Sequence, residues 1–160
     1  MQLRLADAES TESLGRLLAI TRPSQAVVHL HGDLGAGKST LARALLRELG
    51  VKGAIRSPTY TLVERYPVPG GEAWHLDLYR IGDTGELDFL GLDDASATLW
   101  LVEWPEKVGQ ALPPADIRLQ LAHDRQGRTV QLQAGSPAGE QWMEALALSP
   151  GMRALSLQSV

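Results

Sequence analysis

The stretch HGDLGAGKST, residues 31–40, sets Gly32, Gly37, Lys38 and Ser39 at the spacing G-x-x-x-x-G-K-[ST]. Glycines at 32, 35 and 37 let a backbone turn so that consecutive N–H groups aim at one point. A lysine beside them supplies charge for β- and γ-phosphates, and the next hydroxyl is a ligand for Mg²⁺. This is the pattern of a phosphate-binding P-loop. It implies a nucleoside triphosphate held by Gly35, Ala36, Gly37, Lys38, Ser39 and Thr40, with Thr40 placed for the α-phosphate.

Such a loop works only between a buried strand and a helix N-terminus, where unpaired N–H groups and the helix dipole favour an anion. Residues 26–30 (AVVHL) read as that strand. Residues 41–49 read as the helix, with Leu41, Leu45 and Leu49 on one face and Gly50 as its stop. Upstream, residues 2–5 alternate as a short strand. A helix follows, capped by Asp7 or Ser10, with Leu14, Leu17 and Leu18 as its apolar stripe. Thr11 on this helix is either close to the nucleotide base or an ordinary exposed helical residue.

Downstream, Ser57-Pro58 starts a turn that leads through Thr59, Tyr60 and Thr61 into a strand. Thr59 and Thr61 are candidates for a loop that orders around the γ-phosphate and its metal, or are simply good strand formers. After the turn PVPGG, residues 73–79 alternate Trp74, Leu76 and Leu78 against His75, Asp77 and Tyr79. Asp77 faces either a site or water, since a buried acid needs a cation or donors. His75 reads as a strand histidine rather than a base. Residues 83–98 read as a helix with a solvated acidic face. Residues 99–104 (LWLVEW) end an apolar strand on Glu103, the form in which a carboxylate lands beside Mg²⁺. Trp104 follows at the strand end, where core packing is the plainer role.

Residues 117–134 read as a β-hairpin, with Arg125 and Arg128 at its tip either reaching phosphates or RNA, or solubilising the turn. Residues 136–148 read as a helix with Trp142 and Leu146 inward, and a mobile tail is expected from Ser149. The domain expectation is a P-loop ATPase unit over residues 1–135, with the helix and tail of 136–160 packed on or extending from it. A net charge of −4 provides no basic field for autonomous nucleic-acid binding. The absence of cysteine excludes disulfides and thiolate sites. No long apolar run is present, so a soluble cytoplasmic protein with neither membrane nor DNA partner is expected.

Four segments together resemble one family. HGDLGAGKST, SPTYTLVERY (57–66), HLDLYRI (75–81) and LVEWPEK (101–107) are similar to the bacterial tRNA threonylcarbamoyladenosine biosynthesis ATPase, the TsaE or YjeE family, over residues 3–134. The resemblance implies an α/β P-loop NTPase fold, a three-layer sandwich with a mixed central sheet. It implies binding and hydrolysis of ATP with Mg²⁺, in support of a TsaB–TsaD heterodimer that modifies the adenosine beside the tRNA anticodon, with tRNA contact indirect. Carried over by residue, Lys38 is the phosphate lysine, Ser39 the metal hydroxyl and Thr40 the adjacent phosphate contact. Thr59 and Thr61 match the switch-like loop, Asp77 the acid near the attacking water, and Glu103 the metal-side carboxylate with Trp104 beside it.

Two other readings share the motif. A small nucleoside or nucleotide kinase would carry an Arg-rich lid, and none is evident; a GTPase would carry N-K-x-D, which does not occur. A nucleotide-gated interaction module with negligible catalysis would use the same P-loop, with the acidic 83–94 segment as part of its surface.

Overall fold

The computed structural model describes residues 1–93 and 96–157. Seven strands form one sheet in the order β1-β7-β6-β2-β5-β4-β3. They are β1 Gln2–Leu5, β2 Ala26–His31, β3 Val63–Val68, β4 Gly71–Asp77, β5 Ala97–Glu103, β6 Ile117–Asp124 and β7 Gly127–Ala134. The inner four (β6, β2, β5 and β4) run parallel, and antiparallel pairs close both edges. The architecture is α/β with a mixed central sheet, as the sequence predicts.

The P-loop leaves the middle of this sheet. β2 alternates buried Ala26, Val28 and Leu30 with half-buried Val27, His29 and His31, so its apolar side faces the helices. The helices α1 Ala8–Thr21 and α2 Lys38–Glu48 cover that side. Leu41, Ala42, Leu45 and Leu46 of α2 are fully buried there, each worth about 1–3 kcal/mol of apolar burial. α1 crosses α2 closely because Gly15 has no side chain: a Cβ on it would lie 2.6 Å from the Leu41 carbonyl oxygen. Asp7 caps α1, its carboxylate accepting from the Ser10 N–H at 2.8 Å.

The other side of the sheet has a thinner cover. Trp74, Leu76 and Val102 pack there with Leu87, Val108 and Leu112 under short 3-10 segments. Over residues 83–98 the structure departs from the expected helix. A 3-10 helix spans Thr84–Leu90 and ends at Gly91 in the left-handed conformation (φ 63°), and β5 begins at Ala97. The stretch does not run on as a longer helix, because Gly91 ends it in the left-handed conformation, with Leu87 buried and Phe89 in solvent. Positions 94 and 95 lie outside the described residues.

The C-terminal region also differs. α3 Pro137–Leu148 docks on α1, with Trp142 buried and its indole N–H donating to the Thr21 hydroxyl at 3.1 Å. The expected mobile tail instead forms α4 Pro150–Leu157, which buries Met152 and Leu155. Positions 158–160 lie outside the described residues. Among the described residues no helix is long and apolar enough to cross a membrane.

Candidate nucleotide site

A cleft of about 200 Å³ opens where β2, β4 and β5 end, and the P-loop forms its floor. Gly35 and Gly37 have φ of 76° and 106°, values that ordinary side chains rarely adopt. Gly37 stands at the N-cap of α2, and no side chain caps that end, so the first N–H groups of the helix are left for a ligand. Lys38 is buried. Its ammonium donates to the carbonyls of Gly32 at 2.6 Å and Asp33 at 2.8 Å, and sits 4.4 Å from the centre of the Trp104 ring. Burial pushes the Lys38 ammonium below its usual value, and the nearby carboxylates of Glu103 and Asp77 oppose that shift.

Two carboxylates form the opposite wall. Asp77 and Glu103 are paired across β4 and β5, and only 5% and 2% of their surfaces are exposed. The Ser39 hydroxyl lies 3.0 and 3.1 Å from the two oxygens of Glu103. Asp77 accepts from the Thr59 hydroxyl at 3.0 Å and from the backbone N–H of Tyr79 at 3.0 Å. The Tyr79 ring packs 4.9 Å from Trp104, which extends the cleft as an aromatic wall.

The chain's fold thus brings Gly35, Gly37, Lys38, Ser39, Thr40, Thr59, Asp77, Glu103 and Trp104 to one cleft. Ala36 is fully buried beneath it, its N–H donating to the Asp33 carbonyl. Thr61 is exposed, donates to the side chain of Glu64 at 3.0 Å and does not line the cleft. Thr11 is not the exposed helical residue of one expectation. It is fully buried, donates to the Asp7 carbonyl and accepts from Arg128 at 3.2 Å, so it reaches the cleft only through that guanidinium.

The sequence leaves Arg128 open between reaching phosphates and solubilising the hairpin, and it does not assign His75 to the site. Arg128 lines the cleft so closely that a Cβ on Gly37 would lie 2.2 Å from its Nη1, and its Nε has no partner among the described residues. His75 is fully buried with Nε2 2.7 Å from Glu103 Oε1. The period-2 pattern does put His75 on the face of Asp77, but only the β4–β5 pairing brings it to Glu103.

A family model described as "Threonylcarbamoyl adenosine biosynthesis protein TsaE" matches residues 5–130. The chain belongs to the TsaE family. Among relatives of that family, the tRNA threonylcarbamoyladenosine biosynthesis protein TsaE of Haemophilus influenzae is 41% identical over 81% of this chain and 83% of its own. The protein of the same name from Bacillus subtilis is 33% identical over 79% of each chain. The crystal structure of Bacillus subtilis YdiB superimposes with a TM-score of 0.74 at 27% identity, covering 92% of this chain and 93% of that one. The fold is therefore the P-loop α/β fold of this family.

Proposed function

We propose that this protein is an ATPase that binds and hydrolyses Mg²⁺-ATP in support of tRNA threonylcarbamoyladenosine biosynthesis. The observation that carries the reading is the meeting of the P-loop hydroxyl Ser39 with the strand-end carboxylate Glu103 beside the buried Lys38. The oxygen donors suit Mg²⁺, which keeps several waters and takes only one or two protein ligands besides phosphate. Among the described residues no three His, Cys, Asp or Glu side chains gather as an all-protein metal cage, and Ser39 with Glu103 would hold the ion. When bound, Mg²⁺ neutralises charge on the phosphate oxygens.

The chain's own groups do the rest by position and charge. The open N–H groups of α2 receive phosphate oxygens. Lys38 exchanges the carbonyls of Gly32 and Asp33 for the β- and γ-phosphates. Arg128, on the far side of Gly37, adds a second cation. Asp77 orients the water that attacks the γ-phosphate, with Thr59 holding the carboxylate in place. Residues 1–135 carry this unit, and the helices of 136–160 brace it through α1.

The names of the relatives support the pathway, and the family resemblance supports a TsaB–TsaD heterodimer as partner with indirect contact with tRNA, while cytoplasmic location is the expectation drawn from the composition. The deciding measurement is ATP hydrolysis by the purified protein alone and with the TsaB–TsaD pair of the same organism. Slow turnover alone, with complex formation or acceleration by the pair, is expected. Rapid phosphate transfer to a nucleoside with no association would overturn the reading.

A further inference from the structure

Glu103 is held from two directions by unequal means. The Ser39 hydroxyl has one hydrogen to share between Oε1 at 3.0 Å and Oε2 at 3.1 Å, while His75 makes the shortest contact, Nε2 to Oε1 at 2.7 Å. His75 is fully exposed to neither solvent nor cleft: its accessible surface is 0% and it does not line the cavity. Its other nitrogen, Nδ1, has no hydrogen-bond partner among the described residues. The ring's polar anchoring therefore runs through Nε2 alone, which fits the tautomer with hydrogen on Nε2. Leaving Nδ1 bare in the interior costs free energy, and an apolar side chain would avoid that cost if packing were the whole role.

We propose that His75 is a positioning residue: by occupying Oε1 of Glu103 it leaves Oε2 as the one oxygen offered to the metal, and so sets a preference for Mg²⁺ over Ca²⁺. The inference rests on the reading of the cleft as a Mg²⁺-nucleotide site. Its chemistry is that of the two ions. Ca²⁺ takes many oxygen ligands and readily binds a carboxylate through both oxygens, whereas Mg²⁺ demands octahedral geometry and accepts one carboxylate oxygen, directly or through water. When Ser39 turns its lone pairs to the ion, its bond to Glu103 weakens and the imidazole is what still orients the carboxylate. Groups in this supporting position commonly change metal affinity by about 10- to 100-fold when removed.

The test is calorimetric titration of a non-hydrolysable ATP analogue into the protein in EDTA, in Mg²⁺ and in Ca²⁺. Wild type is expected to gain more affinity from Mg²⁺ than from Ca²⁺. His75→Asn, whose amide is too short to reach Glu103, should keep its affinity in EDTA within about twofold while the Mg²⁺ advantage falls about tenfold. His75→Gln, whose amide N–H can take the place of Nε2–H, should restore the advantage. His75→Phe keeps a planar ring at this position without a donor, at somewhat larger volume, and carries the test if thermal melting shows that the Asn variant does not fold. An unchanged Mg²⁺-to-Ca²⁺ ratio in a folded Asn or Phe variant would overturn the role of His75 while leaving the nucleotide reading intact. Analogue binding by wild type without any metal dependence would overturn both.

Discussion

Ser39 and Glu103 are 64 positions apart in the chain, yet the hydroxyl of one lies within 3.1 Å of both carboxylate oxygens of the other. Parallel pairing of β2 with β5 brings this about, because Leu30 lies opposite Glu103 and the P-loop starts two residues later. The donor pair is thus assembled by the sheet itself, before any ligand adds its own contacts.

From this pairing follows the first expectation, for Glu103→Gln. The amide oxygen can still accept from His75 and Ser39, so the fold should tolerate the change, and loss of a buried charge lowers its desolvation cost. The carboxylate's charge toward the metal is gone. Nucleotide affinity in EDTA should stay within about twofold, while the enhancement by Mg²⁺ falls about tenfold or more. Titrations with and without the metal check this; an undiminished Mg²⁺ effect would remove Glu103 from the metal site.

In the proposed reaction Asp77 serves a different step. Its two oxygens are taken by the Thr59 hydroxyl and the Tyr79 N–H, which holds the segment before β3 against the cleft. Asp77→Asn should lower turnover about 100-fold, the usual scale for loss of a positioned acid–base group, while ATP affinity changes by no more than about threefold. Steady-state rates set beside equilibrium binding decide it. Equal turnover in both proteins would mean that Asp77 is structural.

Under the proposed function Lys38 should couple nucleotide binding to pH. Its folded-state value lies below 10.5, chiefly through burial, so between that value and 10.5 the unfolded chain holds the proton that the folded chain has released. Stability should therefore rise with pH across that window, while nucleotide affinity falls as the ammonium is lost. Lys38→Met should abolish both trends and weaken the nucleotide about 10- to 100-fold, the worth of a charge-assisted phosphate contact. Denaturant melts and affinity measured from pH 8 to 10.5 test it, and parallel pH trends in the variant would refute it.

The elements around the P-loop were legible because each signal is local: a strand of buried alternation, three glycines, then a helical stripe. Asp77 and Glu103 were legible as chemistry at strand ends, although their adjacency depends on which strands pair. His75 was not legible as a partner of Glu103 for that reason, since residues 28 apart meet only through the β4–β5 register. Thr11 is not the exposed residue of one expectation, because it lies on the buried face of α1 with Leu14 and Leu18. For α4 the signal was present and unused. Ser149-Pro150 repeats the Ser136-Pro137 start of α3, a capping hydroxyl followed by proline at the first turn, and Ser149 Oγ accepts from the Met152 N–H at 3.2 Å. Residues 83–98 failed in the opposite way, because a count of acids and leucines says nothing of where Gly91 ends the turn.

His29 should make the protein acid-labile. It lies on β2, two residues before His31, with Nε2 3.2 Å from the Pro113 carbonyl oxygen, and burial lowers it from 6.5 to about 4. His31 and Arg118 add to the depression, while the Pro113 carbonyl and Glu106 oppose it. Between pH 6.5 and 4 the unfolded chain binds a proton that the folded chain refuses, so stability falls as the pH drops through that window. One refused proton corresponds to at most about 1.4 kcal/mol per pH unit, and the partly exposed ring reduces this through solvent screening. His29→Gln, which keeps an N–H donor for the Pro113 carbonyl but cannot titrate, should therefore show a shallower loss of stability between pH 6.5 and 4. Urea melts at half-unit intervals of pH measure the slope. Identical slopes in the two proteins would mean that the acid sensitivity belongs to other groups.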